Sequence, residues 1–331
     1  MDFQNQGIAS TEGHAINTDD STPHARDFAA NQAGSFSFSK PPLTFRDQAN
    51  HMIEKGLRID NIQLADKRLS DTNYYRLRGF WMTLEDKNGR FCEGVSFDDI
   101  WNTYELDRAL RLWLWKTISP IEVKFRTQFA YYSAHYIGPF GYLDSSNFKS
   151  AKSHEASMQR YQRECERARQ QKVPYVTHNE NRYGSLPVWA AVELMSFGTL
   201  SRLYGNLSLD AGKTGDHRGI VDSVADAFGM RSFYLKNWTH HLTTIRNIAG
   251  HHDRFYNRTI AIKPKLLSRD AKYESGKEFP TLLVIKNIYE LSWPDEWPLI
   301  GGELTNMIDL YSQVDLRPMG FPENWRDVLN L

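Results

Sequence analysis

Residues 243–258, TTIRNIAGHHDRFYNR, bring together three arginines, two asparagines and two adjacent histidines. They follow an apolar helical pattern whose shared face is formed by Trp238, Leu242, Ile245 and Ala249. Arg246 therefore lies in the last turn of a helix, and His251 follows Gly250. Positions five residues apart differ by about 140° on an ideal helix. The two side chains point the same way only if the helix ends or bends at Gly250, which glycine allows.

This pair of residue types suits phosphate chemistry. An imidazole takes up or releases a proton near neutral pH, and a guanidinium holds phosphate oxygens and stabilises developing negative charge. Asn247 is placed to orient a hydroxyl or its neighbours. No acidic cluster lies nearby in sequence, so two-metal hydrolysis of a phosphodiester is poorly supported. The remaining chemistry is attack by a ribose 2′-OH on its own phosphate, which restricts the substrate to RNA.

Two other interpretations of the same residues stay open. Arg and His near the end of a helix often only satisfy its terminal carbonyls and dipole, and residue types alone favour that simpler role. A zinc site would draw on His240, His241, His251, His252 and Asp253. Because no further His or Cys pair completes a recognisable ligand set, we expect no metal and no other cofactor.

The flanking sequence makes the short motif more specific. RNIAGH, residues 246–251, fits the R-x4-6-H motif of HEPN domains, with a polar residue after the arginine. Around it lie, in order, KPPLTFRDQANHMIEKGLRI, LSDTNYYRLRGFW, LPVWAAVELMSFGTLSRLY, IRNIAGHHDRFYNR and VDLRPMGFPENW. From about Lys40 to Leu329 the chain resembles the Abi-like family, the AbiD/AbiF-type abortive-infection proteins of bacterial phage defence. Residues 1–39 and 150–172 lie outside the best-matched blocks.

The resemblance implies an all-α HEPN-type fold and a metal-independent ribonuclease that works as a homodimer with a composite site. It implies that Arg246 and His251 are the catalytic pair and that Asn247 supports them. The same block adds probable site neighbours, namely His252, Arg254 and Asn257. The family commonly has a larger residue, or Cys or Ala, where this chain has Gly250. The resemblance also makes a bound small non-coding RNA plausible.

Further candidates come from two earlier helices. Glu122 and Arg126 are four residues apart, which favours an ordinary ion pair, although the family has a similar Glu…Arg block that could line an RNA groove. Tyr75, Arg76 and Arg78 alternate aromatic and basic groups that could stack on bases and hold phosphates; a helix with solvated arginines explains them equally well. Trp113 and Trp115 are assigned to the core or an interface.

Composition limits the class of protein. The 331 residues carry 40 basic and 40 acidic side chains, so no overall field attracts nucleic acid or membrane, and an anion needs a local patch. The two cysteines, Cys92 and Cys165, form no zinc or disulfide pattern. The N-terminus has no signal-peptide pattern and no segment is apolar enough to span a bilayer. We therefore expect a cytoplasmic protein without membrane contact.

Hydrophobic periodicity predicts a mainly α protein, a HEPN-type helical bundle with an N-terminal helical extension and an inserted charged helix. The expected organisation is a disordered tail over 1–39, an N-terminal helical subdomain over 40–95 and a HEPN-like domain over 96–331, with a charged insert at about 145–185. Pro120 is expected to kink or divide the longest helix. Residues 186–207 are predicted to form one helix, and residues 281–291 a helix or a short buried strand.

The function expected from these features is phage defence by an RNA-cleaving enzyme, with RNA as substrate and possible regulator. The alternative is a non-catalytic RNA-binding protein that acts with a structured non-coding RNA. Substitution of His251 separates the two, because phosphate contacts dominate RNA affinity whereas cleavage depends on the proton-transfer group.

Overall fold

The computed structural model describes residues 41–215 and 218–331. Contacts divide the chain into Met1–Leu43 and Thr44–Leu331, and every described helix belongs to the second unit. The tail predicted over 1–39 lies outside the described residues.

The prediction of a mainly α protein is confirmed. Between residues 41 and 331, leaving out 216 and 217, pairing of extended backbone is limited to isolated bridges. The α-helices are α1 (Phe45–Glu54), α2 (Ile62–Asp71), α3 (Tyr74–Trp81), α4 (Phe97–Ile137), α5 (Ala151–Gln170), α6 (Pro174–Tyr183), α7 (Val188–Leu194), α8 (Phe197–Asn206), α9 (Ile220–Asp226), α10 (Ser232–Gly250), α11 (Phe279–Ser292), α12 (Trp297–Leu310) and α13 (Trp325–Leu329).

Helix α4 is the central element of the bundle. It begins with a capping box, in which the Ser96 side chain accepts from Asp99 N and the Asp99 carboxylate accepts from Ser96 N. It runs for 41 residues and packs against α3, α7, α9, α10 and α12. Its length lets one helix carry side chains to both ends of the site described below.

Pro120 does not divide α4. An interior proline costs about 3 kcal/mol because it removes a backbone hydrogen bond and crowds the preceding turn. Here Ile118 and Ile121, on either side of it, are fully buried, and the Tyr289 hydroxyl of α11 donates to Thr117 O at 2.9 Å. Packing on neighbouring helices therefore keeps the helix continuous.

The single helix predicted over 186–207 is wrong, because the structure breaks it into α7 and α8. Met195 is extended, and the Ser196 side chain accepts from Thr199 N at 3.1 Å, which starts α8. Arg126 of α4 donates to the carbonyls of Val192 and Met195 at the end of α7. A side chain distant in sequence thus satisfies the carbonyls that the break exposes.

Helix α5, the charged insert, packs on the bundle. One stripe of it is buried at a spacing of three or four residues, formed by His154, Ser157, Tyr161, Cys165 and Ala168. The stripe packs against α6, α7 and α8. Its polar and small residue types hide the amphipathic pattern, which is why the sequence suggests a helix with little to bury.

The segment that could be helix or strand is helical, and it is α11. Every residue of it from Phe279 to Tyr289 is buried, as expected for a helix that neighbours surround on all sides. His241 of α10 packs against it, with Nδ1 2.6 Å from Ile262 O and Nε2 3.0 Å from the Thr281 hydroxyl. A neutral imidazole satisfies both partners, donating to the carbonyl and accepting from the hydroxyl.

His241 should make the stability of the fold fall in acid. Burial lowers its pKa to about 4, whereas the unfolded value is about 6.5. The stabilisation that His241 gives to the free energy of unfolding is therefore complete above pH 6.5. It falls as the pH drops toward 4, by roughly 3 kcal/mol at most. Urea unfolding of the wild type and of His241→Gln at several pH values should show a smaller loss in the variant.

The exposed His178 of α6 supplies the control. His178→Gln should follow the wild-type pH dependence. Equal pH dependence of the wild type and His241→Gln would contradict the assignment of His241 as a neutral core residue.

Candidate functional site

Helix α10 ends at Gly250, as the sequence predicts, but a histidine makes the terminating turn. His251 is the C-cap residue, and His252 has a positive φ of 59°. The N–H groups of His252 and Asp253 donate to Ala249 O and Ile248 O, at 3.3 and 3.0 Å. This is the Schellman pattern with a non-glycine residue in the left-handed position, a conformation that costs of order 1 kcal/mol.

Gly250 serves a different purpose from the one expected of it. Its φ is helical, so it does not supply the left-handed residue. A Cβ built on it would lie 2.7 Å from Cζ3 of Trp115 in α4, well inside van der Waals contact. Glycine is needed here because the Trp115 ring packs directly on the end of α10.

Arg246 lies between that tryptophan and a buried carboxylate. Its Cζ atom is 5.0 Å from the Trp115 ring centre, within range of a cation–π contact. Its Nε atom is 3.4 Å from Glu122 Oε2, and its side chain is 35 % exposed. The guanidinium is thus oriented by two α4 residues yet still reaches solvent.

Glu122 is a buried carboxylate between two arginines. One oxygen pairs with Arg126, whose Nε atom is 3.2 Å away, and the other faces Arg246. The ion pair expected between Glu122 and Arg126 is therefore present, and a third residue joins it. Because Arg126 also holds the end of α7, Glu122 links the packing of the bundle to the orientation of Arg246.

Arg246 and Asn247 lie on the last turn of α10, and His251 is its C-cap residue. Asn247, His251 and His252 are exposed, and a small cavity of about 150 Å³ opens beside Arg246, lined also by Ser119 and Glu122. The site accordingly offers two imidazoles, an amide and a guanidinium to solvent at one helix end.

Two of the predicted site neighbours, Arg254 and Asn257, form hydrogen bonds within the protein. Arg254 donates to the carbonyls of Gly79, Tyr256 and Asn257 at 2.8, 2.9 and 3.3 Å. The Asn257 side chain accepts from Lys277 Nζ at 2.7 Å. These contacts attach the segment after the helix to α3 and stabilise its turns.

A second buried carboxylate, Asp107 of α4, holds the same segment. It accepts from the N–H groups of Phe255 and Tyr256 at 2.7 and 2.6 Å, and from Arg111 Nε at 2.9 Å. Burial raises the pKa of the Asp107 carboxyl, and the charge of Arg111 opposes that rise. The chain on the far side of His251 is thereby fixed to α4.

The candidates on α3 are less closely joined to the site. Arg76 reaches it, since its Nη1 donates to His252 O at 2.5 Å. The Tyr75 side chain is 80 % exposed, and Arg78 is also exposed. Of these three residues, Arg76 alone has a hydrogen bond to the segment around His251 among the described residues.

A larger cavity of about 600 Å³ lies on the other side of Trp115. Its lining combines aromatic, aliphatic and cationic groups, namely Arg76, Tyr104, Arg108, Arg111, Leu112, Trp115, Ala249, Gly250 and His252. Tyr104, Arg108, Arg111 and Leu112 were not among the residues predicted from the sequence, and Trp115 was assigned to the core or an interface. The sequence did contain an indication that one of the two tryptophans is exposed, because Trp113 and Trp115 are two residues apart on a helix and cannot share a face.

The tryptophan pair indeed divides between core and surface. Trp113 is buried, and its Nε1 donates to Ile300 O at 3.0 Å, whereas Trp115 is 44 % exposed.

The residues considered as zinc ligands do not lie together, since His241 faces the core and His251 faces solvent. Among the described residues no group of three or more His, Cys, Asp or Glu side chains could hold a metal ion.

Removing the buried carboxylate should cost far more than removing an exposed one. Glu122→Ala leaves Arg126 buried without its counter-charge, so we expect a loss of about 3 kcal/mol in the free energy of unfolding. The matched control is Glu303→Ala, whose partner Lys116 also lies on α4 but where both side chains are at least half exposed; the expected loss is below about 1 kcal/mol. Urea unfolding measures both, and equal losses would contradict this account.

The contact between Gly250 and Trp115 predicts a sign change in a double-mutant cycle. Gly250→Ala should destabilise the wild type because the new methyl group meets the indole. In a Trp115→Ala background the clash is gone, and alanine should stabilise the helix by up to about 1 kcal/mol. Urea unfolding of the four proteins gives the coupling; additive effects would mean that the two residues do not contact each other.

Comparison with known proteins identifies the family. A family model described as Abi-like protein matches residues 67–257, more than half of the chain and all of the site at the end of α10. No curated protein and no solved structure matches the chain. None of the described helices combines the length and apolar character needed to cross a bilayer. The chain belongs to the family of Abi-like proteins.

Proposed function

We propose that this protein is a phage-defence ribonuclease of HEPN type that cleaves RNA without a metal. The observation that supports the proposal is the end of α10, where Arg246 is oriented by Glu122 and Trp115 and where Asn247 and His251 are exposed to solvent. Membership of the Abi-like family supports the defence role. A purely structural pair at a helix end would have no need of an oriented, partly solvated guanidinium.

The reaction is transfer of the phosphate to the adjacent ribose hydroxyl. The 2′ oxygen forms a bond to phosphorus while the bond to the 5′ oxygen breaks, which leaves a 2′,3′-cyclic phosphate and a free 5′-OH. His251 accepts the 2′-OH proton or supplies the proton to the leaving oxygen. Arg246, held at Nε by Glu122, directs its remaining N–H groups at the charge that develops on the phosphorane. Asn247 positions the ribose or the phosphate.

The two proton transfers favour a homodimer. Each copy supplies one histidine of the R-x4-6-H motif, His251, whereas the reaction needs a base and an acid. A second copy placed across a two-fold axis supplies the other imidazole. Exposed apolar side chains on α4 beside the site, Leu112 and Val123, offer surface for such a contact.

The larger cavity is proposed to receive a nucleotide next to the cleaved bond. Trp115 and Tyr104 present rings on which a base can stack, and Arg76 offers charge to a phosphate, whereas Arg108 is paired with Glu105. Arg111 keeps its Nε on Asp107 and adds charge to the wall of the cavity. The same lining would serve the alternative function, a non-catalytic protein that holds a structured small RNA.

Substitution of His251 separates the two functions. His251→Ala should lower cleavage of an RNA oligonucleotide by at least about 100-fold, as expected for loss of a general acid or base, while RNA affinity changes less than about threefold because phosphate contacts dominate binding. Wild-type cleavage should persist in EDTA, yield 2′,3′-cyclic phosphate ends, and fail on RNA with a single 2′-deoxy sugar at the cut site.

His178→Ala, an exposed histidine on α6, is the matched control and should cleave like the wild type. If wild-type protein binds RNA but leaves it intact as purified and with phage-infected cell extract added, the ribonuclease proposal is wrong and the RNA-binding function replaces it.

A further inference from the structure

A second group of basic side chains lies away from the end of α10, where α8 packs against both α5 and α10. Its members, called here the cationic cluster, are Lys149, Arg160, Arg202, Lys236 and His240. The start of α5 is tied to the end of α8, since Lys149 N donates to Asn206 O at 2.8 Å and Ser150 N to the Asn206 side chain at 3.1 Å. The proximity of these basic groups is thus built into the packing of three helices.

Two contacts place the members from α8 and α10. A Cβ built on Gly198 would lie 3.4 Å from Arg202 Nη1 and 3.2 Å from the Thr243 methyl group, so the Arg202 head lies against α10. Lys236 Nζ lies 5.8 Å from the centre of the Tyr204 ring. Lys149, Arg202 and His240 are exposed, and Arg160 and Lys236 are half-buried, so the cluster is open to a ligand.

The basic groups repel one another. Burial, and then the charge of Lys149, lowers the pKa of Lys236 to about 8. Burial followed by the charge of Arg160 lowers the pKa of Arg202, and burial followed by the charge of Arg202 lowers that of His240. Within the described part of the chain, Asp222 is the one acid whose charge acts on these three groups, and it acts on Lys236.

The rest of α5 behaves differently. Arg167 pairs with Glu164, and Arg169 forms two hydrogen bonds with Glu180 of α6. The far end of the charged insert is therefore neutralised internally, whereas its near end adds Arg160 to the unneutralised group. In a chain with no net charge, this local excess of positive charge favours binding of an anionic partner.

We propose that the cationic cluster binds the sugar–phosphate backbone of the RNA that is cleaved at the end of α10. Lys236, His240 and Asn247 lie within roughly 40° of one another around the helix, so one face of α10 runs from the cluster to the motif. Lys236 and Arg246 are about 15 Å apart along the axis, a span of a few nucleotides. This inference rests on the proposed function, since it assigns the distal part of the substrate.

The test is the salt dependence of RNA binding by the full chain. The probe is an unstructured, fluorescein-labelled 20-nucleotide RNA, and all proteins carry His251→Ala so that it stays intact. Each phosphate contact contributes about 0.7 to the slope of log K against log salt for a single strand. The variant Lys149→Gln/Arg160→Gln/Arg202→Gln/Lys236→Gln should lower the magnitude of that slope by about 2 to 3 and weaken binding more than tenfold. Lys67→Gln/Lys87→Gln, which changes exposed lysines of α2 and the 86–90 turn, should leave both unchanged.

An unchanged slope in the fourfold variant would overturn the inference. That result is also the one expected if the cluster binds an acidic protein instead of RNA. If circular dichroism shows that the fourfold variant is not folded, the exposed pair Lys149→Glu/Arg202→Glu takes its place under the same criterion.

A second assay, in proteins with His251 intact, separates this inference from the proposed function. A dinucleotide does not reach the cluster, so the fourfold variant should cleave it like the wild type while the KM for the 20-nucleotide RNA rises. If the protein cleaves the dinucleotide but the fourfold variant binds the longer RNA as the wild type does, this inference is wrong and the ribonuclease proposal stands. Cluster-dependent binding without any cleavage would uphold RNA binding by the cluster but overturn the ribonuclease, and with it the claim that the bound RNA is a substrate.

Discussion

The carboxylate of Glu122 is the interaction on which the rest of the site depends. It is buried in α4, and two arginines from different parts of the chain meet on it. Arg126 extends from it to the carbonyls at the end of α7, so the break between α7 and α8 depends on this carboxylate as well. Removing such a group leaves a desolvated positive charge behind, and Arg246 loses one of the two contacts that aim it.

Helix α4 carries a second buried carboxylate that holds a distant part of the chain. Asp107 lies fifteen residues earlier, about 22 Å along the axis, and accepts from the backbone of Phe255 and Tyr256. One carboxylate therefore holds the arginine before the helix end, and the other holds the chain after it. The exposed His251 and the left-handed His252 lie between these two attachments, which explains how a strained turn persists at a position where glycine is usual.

The sequence predicted the elements whose signal is local and missed those set by distant contacts. The end of α10 followed from a clear apolar face that stops at a glycine, and the link between Glu122 and Arg126 followed from a spacing of four. The break at Met195 could not be predicted, because Arg126, far away in sequence, satisfies the carbonyls that it exposes. The role of Gly250 was misjudged for the same reason, since the Trp115 ring that requires it comes from α4.

Strain and unneutralised charge are both found on α10 and are absent from the most buried helix, α11. A fold optimised only for stability would place glycine at His252 and acids beside Lys236 and Arg202. Instead the chain keeps a left-handed histidine next to the oriented Arg246, and a group of repelling cations farther along the same face. Both features cost stability in the isolated protein. An anionic ligand would relieve the repulsion among the cations, whereas the left-handed turn at His252 is held by the attachments of the flanking chain to Glu122 and Asp107. The face of α10 that Lys236, His240 and Asn247 share is the physical argument for proposing that the helix end and the cationic cluster form one RNA-binding face.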